Sequence, residues 1–283
     1  MLRIAIQSKG RLYEESMALL EESGIKIPGG KRTLLVPARN FPVEVLFLRD
    51  DDIPESVASG VADVGIVGLN EVMEKRCPVG ILKKLGFGKC RLSLAIPQDI
   101  DYQDRNWFSG KKIATSYPGI LSDYLHKNGI VSDIHVITGS VEIAPGIRLA
   151  DAIFDIVSSG STLVSNRLKE VETVVESEAV LIGTDSISPE KRVILDELLF
   201  RFDSVQAADD KKYILMNVPQ KKLNDVLSVL PGIKSPTVMP LADKEWCSVH
   251  TVLDEKCFWE IINRLKTAGA EGILVLDIEK MIL

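Results

Sequence analysis

The chain has 283 residues, 46% hydrophobic and 26% charged, a balance typical of ordinary globular proteins and long enough for two or three domains. Its 34 basic and 40 acidic residues leave a net charge of −6, which excludes a broad nucleic-acid footprint while allowing a local basic pocket. No apolar run approaches the roughly 20 residues that span a bilayer, and the N-terminal MLRIAIQSKGR turns polar too soon for a signal peptide, so the expectation is a cytoplasmic protein with no membrane and no nucleic-acid partner.

Leu2 to Gln7 reads as a strand, followed by Ser8-Lys9-Gly10-Arg11 and a helical pattern through Leu12, Leu19 and Leu20 that Gly24 ends. Two cations and a glycine at a helix start form either an anion site or a solvated turn. Gly29-Gly30-Lys31-Arg32-Thr33 lacks the first glycine of a Walker A loop. Residues 31–36 and 43–48 read as strands, and Arg49-Asp50-Asp51-Asp52-Ile53-Pro54 follows. Asp52 reads as a helix cap with Pro54 in the first turn, while a site role stays open for Arg49 and Asp50 at the strand end.

Residues 63–67 read as a buried strand, which places Asn70 just past its carboxyl end, where open α/β sheets hold ligands. Gly86-Phe87-Gly88-Lys89 has no third glycine at dinucleotide-binding spacing. A strand over 91–96 leads through a polar connection to a second lobe. There a strand at 112–114 runs into Thr115-Ser116-Tyr117-Pro118-Gly119 and a helix that stops near Asn128-Gly129, and 135–138 reads as another strand. The periodicity of Leu149, Ile153, Ile156 and Val157 predicts a helix over 146–157, with Asp151 and Asp155 four apart on one face. DIVSSGSTL (155–163) then sets an acidic residue before a hydroxyl-rich turn of Ser158, Ser159, Gly160, Ser161 and Thr162. Such a turn is either a cradle for a phosphorylated sugar or a Ser/Gly loop closing a helix.

Strands at 170–175 and 179–182 and a long helix from Ser188-Pro189 to about 205 lead to Asp209-Asp210-Lys211-Lys212, a polar linker. Beyond it, strands at 213–218, 236–241, 246–253 and 272–278 with helices at 223–230, stopped by Pro231-Gly232, and 258–268 give βαββαβ, the ferredoxin-like order. Cys77, Cys90, Cys247 and Cys257 form no C-x-x-C pair, and with His126, His135 and His250 as the only histidines neither a zinc site nor a Ser or Cys triad assembles. Buried, reduced thiols are expected for most of the four, and core packing for Trp246 and Trp259.

Taken together, these motifs resemble one family. GSVEIAP (139–145) and LADAIFDIVSSGSTLVSN (149–166) are similar to the phosphoribosyl-pyrophosphate signature of ATP phosphoribosyltransferases, as are SKGRL (8–12), LRDDDIP (48–54), CRLSLAIP (90–97) and KKIATSYP (111–118). SPTVMPLAD (235–243) and GILVLDIEKM (272–281) resemble the regulatory domain of the long form, and the similarity runs the length of the chain in one order. Ser159 stands where threonine is usual in the family and keeps the hydroxyl.

The resemblance implies an α/β fold. It consists of a two-lobed catalytic part like a type II periplasmic binding protein (lobe I over 1–90 and 180–207, lobe II over 91–179) and a ferredoxin-like βαββαβ regulatory domain over 211–283. It also implies transfer of phosphoribosyl from phosphoribosyl pyrophosphate to N1 of ATP with Mg2+, inhibition by histidine, and a homodimer that assembles to a hexamer. Residue by residue, it places Ser158, Ser159, Gly160, Ser161 and Thr162 on the 5-phosphate, Asp155 and Asp151 on ribose hydroxyls, and Glu142 on the ribose or the metal. Arg49 joins Asp155 and Glu142 as catalytic. Lys9, Gly10, Arg11, Arg91, Thr115, Ser116 and Tyr117 fall to ATP, and Asn217, Thr237 and Gly272 to the inhibitor. The alternatives are a non-catalytic binding protein of the same architecture, a purely regulatory relative, and a phosphoribosyltransferase of the common class. That class carries its acidic pair on a strand–turn–helix, whereas here the predicted helix ends in Asp155.

Overall fold

The computed structural model describes residues 1–28, 33–231 and 236–283. The Gly29-Gly30-Lys31-Arg32 stretch, the first two residues of the strand expected over 31–36, Gly232 of the expected helix stop and Ser235 of SPTVMPLAD lie outside the described residues. The chain divides into two compact units, Met1–Glu197 and Leu198–Leu283.

The first unit begins with β1 (Leu2–Gln7), α1 (Arg11–Glu22), β2 (Leu35–Pro37), β3 (Val43–Leu48), α2 (Ile53–Ala58), β4 (Val64–Gly68), α3 (Leu69–Lys75) and β5 (Gly80–Lys84). It continues through β6 (Cys90–Pro97), β7 (Lys112–Thr115), α4 (Pro118–Lys127), β8 (Asp133–Val136), β9 (Ala152–Val157), α5 (Ser161–Ser165), β10 (Leu168–Ser177) and β11 (Ala179–Gly183), and α6 (Pro189–Ala208) follows. One sheet has the order β2-β3-β1-β4-β11-β5 and the other β10-β6-β9-β7-β8. The chain passes from the first sheet to the second at β6 and returns at β11, and the two passages lie side by side, with Cys90 opposite Ser177 in the ladder.

The inner strands are apolar on both faces. Ile4, Ala5 and Ile6 of β1, Val64, Ile66 and Val67 of β4, and Val180, Leu181 and Ile182 of β11 are all fully buried. Such continuous runs mark strands covered on both sides. Parallel pairing of β1 with β3 and β4 brings their carboxyl ends, and so the Ser8–Arg11 turn, Arg49 and Asn70, to one edge. Parallel pairing of β7 with β9 does the same for the turns after Thr115 and Val157.

The second unit contains β12 (Lys211–Pro219), α7 (Leu223–Val229), β13 (Thr237–Pro240), β14 (Trp246–Asp254), α8 (Glu255–Ala268) and β15 (Glu271–Asp277), in sheet order β13-β14-β12-β15. This is the ferredoxin-like βαββαβ arrangement. Ile214, Met216, Val218 and Val249 alternate toward a core shared with Phe258, Ile261 and Leu265 of α8.

Several expectations change. Residues 146–157 do not form a helix: a turn precedes β9, a central strand between β6 and β7 whose Ala152, Ile153 and Phe154 are fully buried. A short apolar run cannot be assigned by periodicity alone, and Ile, Phe and Val favour the pleated surface. Asp151 therefore lies just before the strand and Asp155 toward its far end. The argument against a strand–turn–helix phosphoribosyltransferase falls with the helix. Asp52 makes no side-chain cap on α2; a one-turn 3-10 helix over Asp50–Asp52 starts it instead. Helix α3 and strand β5 were not foreseen, and β8 lies two residues earlier than expected. Of the four free cysteines only Cys247 is buried, and Trp259 is 65% exposed rather than in the core.

Gly65 in β4 marks a close approach: a Cβ there would lie 2.6 Å from Ile53 Cγ2 and 3.0 Å from Val57 Cγ2. Gly65→Ala is expected to lower unfolding stability by about 1–3 kcal/mol through overpacking, read by denaturant or thermal unfolding.

Candidate active site

The buried strand β9 ends in Asp155-Ile156-Val157, and the chain turns through Ser158, Ser159 and Gly160 into the short α5. Gly160 has φ 79°, the left-handed region in which a side chain is strained. The Ser159 and Ser161 hydroxyls lie 3.0 Å apart, and the Ile156 N–H donates to Asp155 Oδ1 at 2.8 Å. A cavity of about 310 Å³ is lined by Glu142, Asp155, Ser158, Ser159, Gly160 and Thr162 together with apolar residues of β9 and α5. Burial pushes the Asp155 carboxyl up to about 6, and the Glu142 charge adds to the rise against the Ile156 hydrogen bond.

A second cavity of about 240 Å³ is lined from the first sheet by Gln7, Arg11, Asp50, Asn70 and Glu71, and from the crossing by Lys89 and Cys90. Ile156 and Ser158 line both cavities, so the two abut. Glu71 is buried, and burial raises its carboxyl above the ordinary range although Tyr117 opposes this by donating from its hydroxyl at 2.9 Å. The Asn70 amide donates to Glu71 Oε1 at 3.1 Å and to the Tyr117 hydroxyl at 3.2 Å, and Ser177 Oγ donates to Asn70 Oδ1 at 2.8 Å. Burial and the Glu71 charge together push the Tyr117 phenol far up, so it stays a donor. Glu74 accepts from the N–H groups of Gly119 and Ile120 at 2.8 and 2.9 Å, which fastens α3 to the first turn of α4.

The residues expected at the site separate into groups. Asp155, Glu142, Ser158, Ser159, Gly160 and Thr162 converge on one cavity, with Ser161 adjacent. Asp151 lies beyond the other end of β9, where it accepts from the Lys112 N–H at 2.9 Å. Lys9, Gly10 and Arg11 are exposed at the start of α1, Arg11 paired with Glu15 at 3.1 Å, and Arg49 is exposed beside Asp51. The Thr115 and Ser116 hydroxyls are engaged locally, by the Tyr117 N–H and the Ile137 carbonyl. Arg91 is forked onto Glu170. In the second unit, Asn217 and Gly272 are neighbours on adjacent strands, with 3.3 Å between the Asn217 amide and a Cβ built on Gly272, whereas β14 separates Thr237 from β12. Sequence reasoning missed Glu71; its place one residue past Asn70 at the end of a buried strand was the available signal. Among the described residues no group of three or more His, Cys, Asp or Glu gathers as a metal cluster, and no helix is long and apolar enough to cross a membrane.

The ATP phosphoribosyltransferase family model (HisG) matches residues 49–204, and the model of the HisG C-terminal domain matches 208–280. An ATP phosphoribosyltransferase of Bacteroides fragilis is 71% identical over 283 residues, with 100% of both chains covered. The solved ATP phosphoribosyl transferase (HisG:HisZ) complex from Thermotoga maritima is similar to 71% of this chain and 96% of its own, at TM-score 0.62 and 27% identity. The substrate binding protein of an amino acid ABC transporter matches 73% of this chain and 93% of its own at TM-score 0.50 and 11% identity, a likeness of fold alone.

Because the folded-state value of Asp155 lies above the ordinary 3.8, the native chain holds an extra proton between about pH 4 and 6. Ionised Asp155 therefore opposes folding above about pH 6, and that penalty vanishes once the unfolded chain is protonated too. Asp155→Asn is expected to raise the melting temperature at pH 8 and to make almost no difference by about pH 3, as read by calorimetry across that range.

Proposed function

The chain belongs to the ATP phosphoribosyltransferase family, and from that premise we propose where its substrates sit and how its residues act on them. It is an enzyme of the first step of histidine biosynthesis, in which N1 of ATP displaces pyrophosphate from phosphoribosyl pyrophosphate. The observation that carries the assignment is the pair of abutting cavities, one built on the hydroxyl loop and the other on hydrogen-bonding groups of the first sheet.

The phosphoribosyl group occupies the loop cavity. Ser158, Ser159, Gly160, Ser161 and Thr162 take the 5-phosphate, for which a hydroxyl-rich turn around a left-handed glycine is suited. Asp155, one strand turn before the loop, accepts from the ribose hydroxyls. Glu142 and Asp155 are the side chains that would hold a hydrated Mg2+, and their mutual repulsion fits a cation between them. When bound, that ion neutralises charge on the departing pyrophosphate. Asp151 has no part in this cavity and is assigned no substrate.

ATP occupies the adjoining cavity. Its buried side, with Asn70, Glu71 and the partly exposed Cys90, suits a base with hydrogen-bonding edges, while the exposed Arg11 and Lys89 suit phosphates. Lys9, Gly10 and Arg49 stand at the same strand ends and extend that cationic region. Tyr117 acts through Glu71, and Thr115 and Ser116 shape its turn. Ile156 and Ser158, common to both cavities, mark where N1 meets the anomeric carbon. N1 is an uncharged nucleophile, so no strong base is required, and proximity with preorganised charge supplies the acceleration. The second unit binds histidine through Asn217 and Gly272, with Thr237 farther along the sheet, and feedback inhibition operates in a cytoplasmic homo-oligomer, a dimer that assembles to a hexamer.

An ultraviolet assay of the purified chain with ATP, phosphoribosyl pyrophosphate and Mg2+ is expected to show phosphoribosyl-ATP formation that histidine suppresses. Insensitivity to histidine would overturn the regulatory assignment alone; absence of product from folded protein would overturn the substrate placement. In the same assay Asp155→Asn is expected to lose about 10–100-fold in kcat/KM, the worth of a hydrogen bond to a charged group. For the unsubstituted enzyme, KM for phosphoribosyl pyrophosphate is expected to rise as the pH falls below about 6, where Asp155 gains its proton.

A further inference from the structure

Arg91 and Glu170 form a cluster that the substrate placement leaves unexplained. Arg91 stands near the start of β6, opposite Val157 of β9 on one side and Glu176 of β10 on the other. Its guanidinium donates from Nε to Glu170 Oε1 at 2.6 Å and from Nη2 to Oε2 at 2.5 Å, a two-bond fork. The remaining nitrogen, Nη1, donates to the backbone carbonyl of Ser158 at 3.2 Å. That carbonyl belongs to the first residue of the loop that follows β9.

The carboxylate end is fixed from further sides. Glu170 Oε1 also accepts from Ser93 Oγ at 2.7 Å and from Thr173 Oγ1 at 3.1 Å. Residues three apart in a regular strand point to opposite faces, yet Glu170 and Thr173 meet. The β10–β6 register shifts between Glu170 and Glu172, and the extra residue turns the later part of the strand over. Ser93, which is buried, lies opposite Asp155 in the β6–β9 ladder. One carboxylate is thus braced by groups on β6 and β10, and through Arg91 it reaches the loop. These donors hold the Glu170 carboxyl down at about 2, so the fork keeps its charges throughout the physiological range.

We propose that Arg91 and Glu170 are positioning residues of the transfer reaction. Glu170 aims the guanidinium, and the guanidinium holds the Ser158 carbonyl so that the loop keeps the shape that receives the 5-phosphate. The proposal rests on the assignment of that loop to the phosphate made above. It replaces the expectation that Arg91 contacts ATP, because the side of the guanidinium that would fork onto a phosphate is already forked onto Glu170. Lysine cannot substitute: a single ammonium does not span a fork and a carbonyl at once.

Arg91→Lys, Glu170→Gln and the double variant of the full chain test this, with KM for each substrate measured separately alongside melting temperature. Thr162→Ala serves as the reporter of the phosphate assignment. The expected result is a rise of about tenfold in KM for phosphoribosyl pyrophosphate in either single variant, the worth of one charge-assisted hydrogen bond. KM for ATP should stay within about twofold, and the double variant should be no worse than the more damaging single one, since coupled residues are not additive. A lower melting temperature with both KM values unchanged overturns the proposal, as does a selective rise in KM for ATP in Arg91→Lys that Glu170→Gln does not share. A raised KM for phosphoribosyl pyrophosphate in Thr162→Ala alone overturns the positioning role and leaves the phosphate assignment intact. No change in any of the variants overturns both. Should Arg91→Lys fail to fold, the near-isosteric Glu170→Gln still decides: a raised KM for phosphoribosyl pyrophosphate alone supports the positioning role, and an unchanged one overturns it.

Discussion

The site depends first on a buried carboxylate. Glu71 sits at the start of α3, on the first sheet, yet its partner hydroxyl comes from Tyr117 at the start of α4, on the second. Asn70 bonds both of these and is itself held by Ser177, at the point where the chain returns from one sheet to the other. A buried carboxylate that lost its donors would carry a desolvation cost of several kcal/mol. The network therefore rewards one arrangement of the two sheets and penalises others. Glu74 adds a second tie of the same kind by accepting from two N–H groups of the first turn of α4, where the helix dipole favours an anion. The strand ends that carry Arg11 and Asp50 thereby share one cavity with Ile156 and Ser158 of the second sheet.

Central strands were the easiest elements to read. β1, β4 and β11 are runs of Ile, Val, Ala and Leu bounded by turn residues, and runs of that kind form only where both faces are covered. The second unit was legible through alternation, as Ile214, Met216 and Val218 face the core while their neighbours do not. β9 shows the opposite case. It is as apolar as β1, but Leu149, Ile153 and Val157, with Ile156 beside them, recur at a four-residue spacing that looked helical. In a strand that spacing also falls on a single face, so the pattern could not discriminate. What decides the matter is pairing with β6 and β7, a contact between residues far apart in the chain.

The hydroxyl loop itself was legible because its chemistry is local: a glycine that turns left-handed and the serines around it are contiguous. The groups that give the loop its setting were not. Glu142, which reaches the same cavity from a separate turn, was placed by the resemblance alone; Glu71 meets Tyr117 across the sheets, and Glu170 reaches Arg91 only because a bulge re-aims part of β10. Glu71 and Glu170 are carboxylates whose partners lie 46 and 79 residues away along the chain. Composition counts such acids as part of a net charge of −6, and nothing in the count separates a solvated glutamate from one that shapes a site.

Glu170, Glu71 and Asp155 together answer how an acidic chain can receive two polyanions. Charge on the carboxylates is neutralised in different ways according to depth. Glu170 is matched by a guanidinium fork and stays ionised. Glu71 is matched by neutral donors, and burial raises its carboxyl. Asp155, beside Glu142, is left partly unmatched, and its raised value of about 6 registers that deficit. A deficit of this kind is relieved by hydroxyl donors or by a cation. At higher pH, on the substrate placement proposed above, filling the cavity supplies that relief, so the group that opposes folding is one that gains from a ligand. Stability given up at Asp155 and stability held at Arg91–Glu170 are then complementary: the first leaves a carboxylate eager for a partner, and the second keeps the loop beside it from relaxing to supply one.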